Sequence, residues 1–355
     1  MNKKTDGRRL IKLRIICQEI RKIAHNFPKK KFHLNILINE LILLNLQIEK
    51  ILFDKNNSKG NPILLSTKLL NDVKYKLKST LLLNEFANNK KISIKKFERE
   101  KTHKDLFQNL WINFNYQEYI NERIKRYQKR IKINNLKGLI ANKKIIDFGC
   151  GHGNFLIACY LQNAKSCLGI DYGRKSILYA NKIISTLKLD KNKIKFKIGS
   201  VYKTFEKNNS FDFAIQNGVF HHLDNEKKAY LEIHRVLKKN SYLFLYTDGG
   251  GGIRDIVFDM SQKILKNIDK NLIVNTIRSA GLTTNKEYHL GDGLNAEYRH
   301  STFTKLKKML KKIGFYNFKQ LNGGTKTDFD KPFYKDKYFN EKFGSGDLRI
   351  LCQKK

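Results

Sequence analysis

Residues 32–53, FHLNILINELILLNLQIEKILF, set Leu34, Leu37, Leu41, Leu44, Ile48 and Ile51 three and four positions apart. That spacing keeps them on one face of an α-helix, and Ile38 and Ile42 widen the face until it needs burial. DKNNSKGNP (54–62) reads as a loop closed by Pro62. Residues 63–83 predict a second helix, with Leu65, Leu69, Val73, Leu77 and Leu81 four apart. The first hundred residues therefore read as a helical hairpin or small bundle, an accessory region at 1–100. Three uses compete for its apolar seam: packing on the rest of the chain, then a homodimer through residues 32–83, then a surface-lying amphipathic helix. Residues 101–133 predict further helix rich in aromatics, namely Phe107, Trp111, Phe114, Tyr116, Tyr119 and Tyr127.

The pattern changes at Lys144. Short apolar runs at 144–149, 167–171, 194–199, 211–217 and 241–247 alternate with helical stretches at 154–163, 174–187 and 225–238. Strands alternating with helices predict a doubly wound α/β sheet with helices on both faces. GFYNFKQL (314–321) and DLRILCQ (347–353) are two further strand candidates. In such a sheet, ligands bind at the carboxyl ends of the strands, where strand order reverses.

Composition adds two bounds. The chain has 355 residues and a formal net charge of +39. Residues 1–100 carry 23 basic and 9 acidic side chains, so the charge is spread along the chain and only somewhat denser at the front. Lysine, asparagine and isoleucine abundance fits a biased genome, and a solvated basic surface is preferred over a nucleic-acid footprint. Five cysteines (Cys17, Cys150, Cys159, Cys167 and Cys352) form no CxxC pair, so a reduced, cytoplasmic setting is expected and a zinc site is not. No signal peptide or membrane span is legible.

The chemistry centres on IIDFGCGHGN (145–154). Its spacing is GxGxG, not the GxGxxG of dinucleotide turns, and no Walker lysine follows. Asp147 stands two residues before Gly149, where a carboxylate repels a pyrophosphate but suits an ammonium. Asp171 lies 22 residues after Gly149, at the distance typical of a ribose-binding acid. A nucleoside with free ribose hydroxyls and a cationic tail satisfies both, and S-adenosylmethionine is such a molecule.

IIDFGCGHGNF, LGIDYG, KIGSVY, SFDFAIQNGVFHHL and EIHRVLKKNSYLFLYT, in this order, resemble the successive motifs of class I S-adenosylmethionine-dependent methyltransferases. They resemble in particular the broad bacterial group related to ubiquinone/menaquinone-biosynthesis C-methylases. The resemblance covers about residues 141–248. It implies a Rossmann-like seven-stranded sheet and a methyltransferase domain at 101–355, with 101–140 as a helical cap and 251–300 as a substrate-side insertion. It also implies roles. Asp147, the backbone of Gly149, Cys150, Gly151 and Gly153, and Asn154 would hold the methionine end. Asp171 would hold the ribose, Tyr172 would pack by the adenine, Ser200 and Val201 would lie at its edge, and Asn217 would offer its backbone carbonyl to the ammonium. The family often has an acid where Ser200 stands, which weakens the expected grip on the adenine amino group.

A hydroxyl acceptor needs a base, and His221 and His222 follow the fourth strand. YHLGDGLNAEYRH (288–300) adds His289, Asp292, Glu297, Tyr298, Arg299 and His300, and TDGGGG (247–252) reads as a mobile lid. His221, His222 and His300 are the catalytic candidates; a satisfied structural histidine is the preferred reading of His222, and a plain polar loop is the alternative for the 288–300 cluster. The expected function is methyl transfer to a small-molecule oxygen on a metabolite, sugar or surface-glycan precursor. RNA or protein methylation and a non-catalytic cofactor-binding scaffold are the alternatives. The Asn/Asp-Pro-Pro-aromatic motif of base methylation is absent after the fourth strand.

Overall fold

A computed structural model describes residues 10–53, 60–82, 100, 103–104, 119–282, 284–325 and 328–355. Phe107, Trp111, Phe114 and Tyr116 lie outside the described residues. Along the chain come helices α1 (Ile11–His25), α2 (Lys31–Phe53) and α3 (Pro62–Leu82), a π-helical turn (Tyr119–Ile124), α4 (Lys125–Ile133) and α5 (Lys137–Ile140). Then follow β1 (Lys144–Phe148), α6 (Asn154–Tyr160), β2 (Ser166–Asp171), α7 (Arg174–Thr186), β3 (Ile194–Ile198), β4 (Phe211–Asn217), a 3-10 turn (Phe220–His222), α8 (Glu226–Val236) and β5 (Leu237–Asp248). The remainder is α9 (Ile253–Leu265), α10 (Lys270–Ser279), α11 (Thr284–Asn295), α12 (Phe303–Ile313), β6 (Phe315–Gln320), α13 (Phe339–Phe343) and β7 (Asp347–Lys354).

The chain divides into two compact units, one from residues 1–98, 250–297 and 336–345, the other from 99–249, 298–335 and 346–355. The first is helical. Leu34, Leu37, Leu41, Leu44 and Ile48 of α2 are buried, and α2 packs on α3, α9 and α10. The apolar seam is thus filled within the chain. Asn45, also buried, donates from Nδ2 to Ser261 Oγ at 3.0 Å and so fixes the α2–α9 register. The grouping of 250–297 with the N-terminal helices cuts across a boundary placed at residue 100. It had no local signal, because it depends on which apolar faces meet. Helix α11 also converts most of the polar 288–300 stretch into a packed element, with Tyr288, Leu290 and Leu294 buried. Gly293 is required there, because a Cβ would strike the Phe258 ring.

The second unit is the sheet, in the order β3-β2-β1-β4-β5-β7-β6. The first five strands are parallel, while β7 runs antiparallel to both β5 and β6. Ile146, Phe148, Ala214, Leu243, Leu245 and Ile350 project into one buried cluster with Tyr230 and Ile233 of α8 and Leu306 and Leu310 of α12. β-strands buried on both faces read as continuous apolar runs, as IIDF and FAI do. Strand order reverses between β1 and β4, which puts the ends of β1, β2 and β4 around the glycine loop. The five cysteines are all free and buried.

The Gly249–Gly252 run is not a free lid. Gly249 donates its amide to the Gly346 carbonyl at 2.9 Å. The Gly250 carbonyl accepts from Ser345 N–H at 2.9 Å, and Gly252 starts α9 with its amide on Asp255 Oδ2 at 3.1 Å. A Cβ at Gly252 would strike the Lys342 carbonyl, so close backbone packing, rather than mobility, selects the glycine. Among the described residues, no helix is long and apolar enough to cross a membrane.

Candidate active site

The loop after β1 adopts a conformation that side chains resist. Gly149, Gly151 and Gly153 have φ of 76°, 51° and 80°, in the left-handed region that glycine enters without penalty. The three serve different ends. A Cβ on Gly149 would lie 2.6 Å from Val219 Cγ2, and one on Gly153 would enter the Phe196 ring. Gly151 faces open space, where a Cβ would meet nothing within 4 Å. It is the one of the three whose bare backbone fronts an open cradle.

Asp171 closes the loop from the end of β2. Its Oδ2 accepts the Gly151 amide at 2.8 Å and its Oδ1 the Gly173 amide at 2.7 Å. Each oxygen keeps a lone pair, so the carboxylate both shapes the loop and can still accept further hydrogen bonds. Burial raises its pKa, against the pull of the two amides.

Asp147 is 2% exposed, and its Oδ1 accepts no hydrogen bond. Burial, then the charge of Asp171, pushes its pKa well above the usual carboxylate range. Oδ1 of Asn154 and Oδ1 of Asn217 are likewise buried and unpartnered. Asn217 Nδ2 donates to Tyr127 Oη at 3.0 Å, which turns the amide oxygen the other way. Three orphaned acceptors around one glycine loop are costly unless a donor arrives. A cationic, multi-donor group meets that need, whereas a diphosphate offers acceptors only. The residues present therefore fit the amino-acid end of S-adenosylmethionine.

The remaining cofactor-side candidates fall around the same strand ends. Cys150 packs its thiol near Gly169, and burial raises its pKa well above the usual thiol range, so it contributes backbone rather than reactivity. Tyr172 is 59% exposed, with Lys104 Nζ 4.6 Å above its ring. Ser200 Oγ accepts the Tyr202 amide at 3.2 Å, and Val201 is buried in the sheet core.

Tyr119 is buried and Tyr127 half-buried, and each has a task beside the glycine loop. Tyr119 donates through its hydroxyl to the His152 carbonyl inside the glycine loop, and Tyr127 stacks on Phe155 at 4.6 Å. Both brace the site. His152 is held neutral, its pKa lowered to about 3 by burial and then by Arg123.

Residues 139–287 match the family described as Methyltransferase domain. Over those residues the chain is similar to methyltransferase domains. An uncharacterized methyltransferase of Schizosaccharomyces pombe, C1B3.06c, is 29% identical over 114 residues, covering 30% of this chain and 41% of the relative. The chain thus matches less than half the length of that relative. A possible histamine N-methyltransferase of Thermotoga maritima shares 16% identity at a TM-score of 0.42, over 71% of this chain and 99% of its own. PKMT2 of Rickettsia typhi shares 16% at 0.47, over 65% and 53%.

The histidine candidates meet at the ends of β4 and β5. His221 and His222 lie on the 3-10 turn, 3% and 6% exposed. Their Nε2 atoms are 2.9 Å apart, and His221 Nδ1 lies 3.1 Å from Thr247 Oγ1. The Asp248 amide also points at His221 Nδ1, at 3.4 Å. With Nδ1 accepting, His221 carries its hydrogen on Nε2 and donates it to His222. Burial, then His222, drives the His221 pKa well below the usual value. His300 is different: its Nδ1 faces Asp248 Oδ2 at 3.5 Å, and its side chain keeps 22% exposure. Tyr298 packs on His221 and His222 at 5.0 and 4.7 Å between ring centroids, and its ring is parallel to that of His300. Arg299 N–H to the His221 carbonyl and Ser301 N–H to the Asp248 carbonyl hold this segment in place.

The 288–300 cluster is therefore split. Tyr298, Arg299 and His300 belong to the sheet unit, while His289, Asp292 and Glu297 belong to the helical one, where His289 pairs with Glu49. Thr247 and Asp248 are partners that the sequence pattern alone did not mark as chemistry. Their signal was position at the carboxyl end of a parallel strand.

Proposed function

We propose that this chain transfers a methyl group from S-adenosylmethionine to an oxygen of a small-molecule acceptor. The observation that carries the reading is the Asp248–His300 pair, partly open to solvent, beside a buried imidazole pair at the ends of β4 and β5.

When bound, S-adenosylmethionine supplies an electrophilic methyl group. Asp147, Asn154 and Asn217 would receive the donors of its amino-acid end, and Asp171 the ribose hydroxyls, with Tyr172, Ser200 and Val201 on the adenine side. His300 takes the acceptor's proton on Nε2, because Asp248 faces Nδ1 and stabilises the imidazolium that forms. His221 and His222 act as positioning residues. Their Nε2 atoms engage each other and His221 Nδ1 engages Thr247, which fixes the turn whose His221 carbonyl accepts the Arg299 amide. Tyr298 supplies an apolar wall. Alignment and exclusion of water are the remaining demands of an in-line displacement.

The test is incubation of the purified chain with methyl-labelled S-adenosylmethionine and a fractionated metabolite extract. Label in a small-molecule fraction as an alkali-stable methyl ether, or as a methyl ester, supports the reading. Label confined to RNA or protein, or none in any fraction, overturns it.

A further inference from the structure

The helical unit contains a cleft of about 800 Å³ where the end of α1, the turn into α2 and the end of α9 converge. Arg21, Lys22, Lys29 and Lys263 line it, with no carboxylate among the lining residues. Gln18, His25, Asn26 and Asn267 add polar groups, and Ala24, Leu34, Ile264 and Ile268 make an aliphatic floor. None of the four cations forms an ion pair among the described residues. The acid on α1, Glu19, is engaged by Lys74 of α3 at 3.1 Å. The cleft thus combines unneutralised positive charge with buried aliphatic surface, within the size range of small-ligand sites.

We infer that this cleft binds an anionic amphiphile, a molecule with a phosphate-type head and an aliphatic body. The four cations receive the head, and Ala24, Leu34, Ile264 and Ile268 receive the chain. A single-stranded nucleic acid fits less well, because the cleft offers no Phe, Tyr or Trp on which a base could stack. Lys22 and Lys263 also stand in the last turns of their helices, where cations offset the helix dipole. That role needs no ligand and predicts a loss of stability, not of binding, when they are removed.

The experiment is titration calorimetry of the full chain with dodecyl phosphate below its micellar concentration. Inorganic phosphate, dodecyl maltoside and vesicles of anionic lipid serve as parallel probes. The proposal expects saturable one-site binding of dodecyl phosphate, tighter than either inorganic phosphate or the uncharged detergent. It expects Arg21→Ala/Lys263→Ala to weaken binding at least about tenfold, as loss of charge-assisted contacts should. Lys308→Ala/Lys312→Ala, which removes the same charge from exposed positions on α12, should leave binding within twofold. Equal weakening by both pairs would reduce the effect to diffuse charge and overturn the proposal. Absence of dodecyl phosphate binding, binding to vesicles alone, or a variant that loses melting temperature without losing affinity would overturn it as well. None of these outcomes depends on methyl transfer, so failure here leaves the reading of the active site standing.

Discussion

His221 and His222, consecutive in the chain, turn their Nε2 atoms toward each other at 2.9 Å. The 3-10 turn makes this approach feasible, and burial keeps His221 neutral. A histidine whose folded pKa lies below its unfolded value binds fewer protons when folded. Stability is then fully present above the unfolded pKa and is lost as pH falls below it, from about 6.5 downward. Urea unfolding should show the chain less stable at pH 5 than at pH 7. His221→Gln should flatten that difference while costing about 1–3 kcal/mol at pH 7 through the broken contacts. An unchanged pH dependence in the variant would remove His221 from the argument.

Asp147 has the opposite sign. Its raised pKa means that the folded state holds a proton which the unfolded state releases. Its contribution to stability therefore declines as pH rises from about 3.9 through the folded value. Asp147→Asn should leave the cofactor-free protein as stable at pH 7 or more so. It should also weaken S-adenosylmethionine about 10- to 100-fold, the loss expected for a charge-assisted contact. Wild-type affinity in this variant would disprove the assignment of the ammonium site.

The glycine loop separates folding from binding. Gly153→Ala must accept a φ of 80° and a clash with Phe196, and should cost about 2–4 kcal/mol. Gly151→Ala meets no neighbour, so only its φ of 51° resists it, at about 1–2 kcal/mol. Its methyl group would project into the cradle, so cofactor affinity should fall more than stability does. Calorimetry paired with thermal melts distinguishes the two.

His300→Ala should lower kcat by roughly a hundredfold or more, the usual share of a general base, with cofactor affinity held. Asp248→Asn should lower it less, since the imidazole remains. Stopped-flow methyl transfer under saturating cofactor measures both. Unaltered turnover in His300→Ala would return the base to another residue.

The sheet was legible because its strands are fully buried and its turns carry glycine. IIDF, CLGID, FDFAIQN and SYLFLYT all lie on strands, and the closing strands at 315–320 and 347–354 fall where the late apolar runs put them. Helices α1, α9, α10 and α12 were not legible. Leu306, Leu310 and Ile313 of α12 do keep helical spacing, but each of these helices is short and what buries it comes from segments distant in the chain. Asp147 and Asp171 were legible as a pair because their offsets from the glycines are local. The Asp248–His300 pair was not, since 52 residues separate its members and only the return of the chain at 298–301 brings them together.

By itself the sequence determined the elements whose physics is local: the alternating strands and helices, the side-chain-free turn, and the acids set at fixed offsets from it. Tertiary structure decided which distant segments share a core, which histidine keeps an open face, and which glycines serve packing rather than a ligand. The reason is physical. Period and φ preference act over a few residues, whereas burial, pKa and unpartnered atoms are properties of neighbours that only the folded chain supplies.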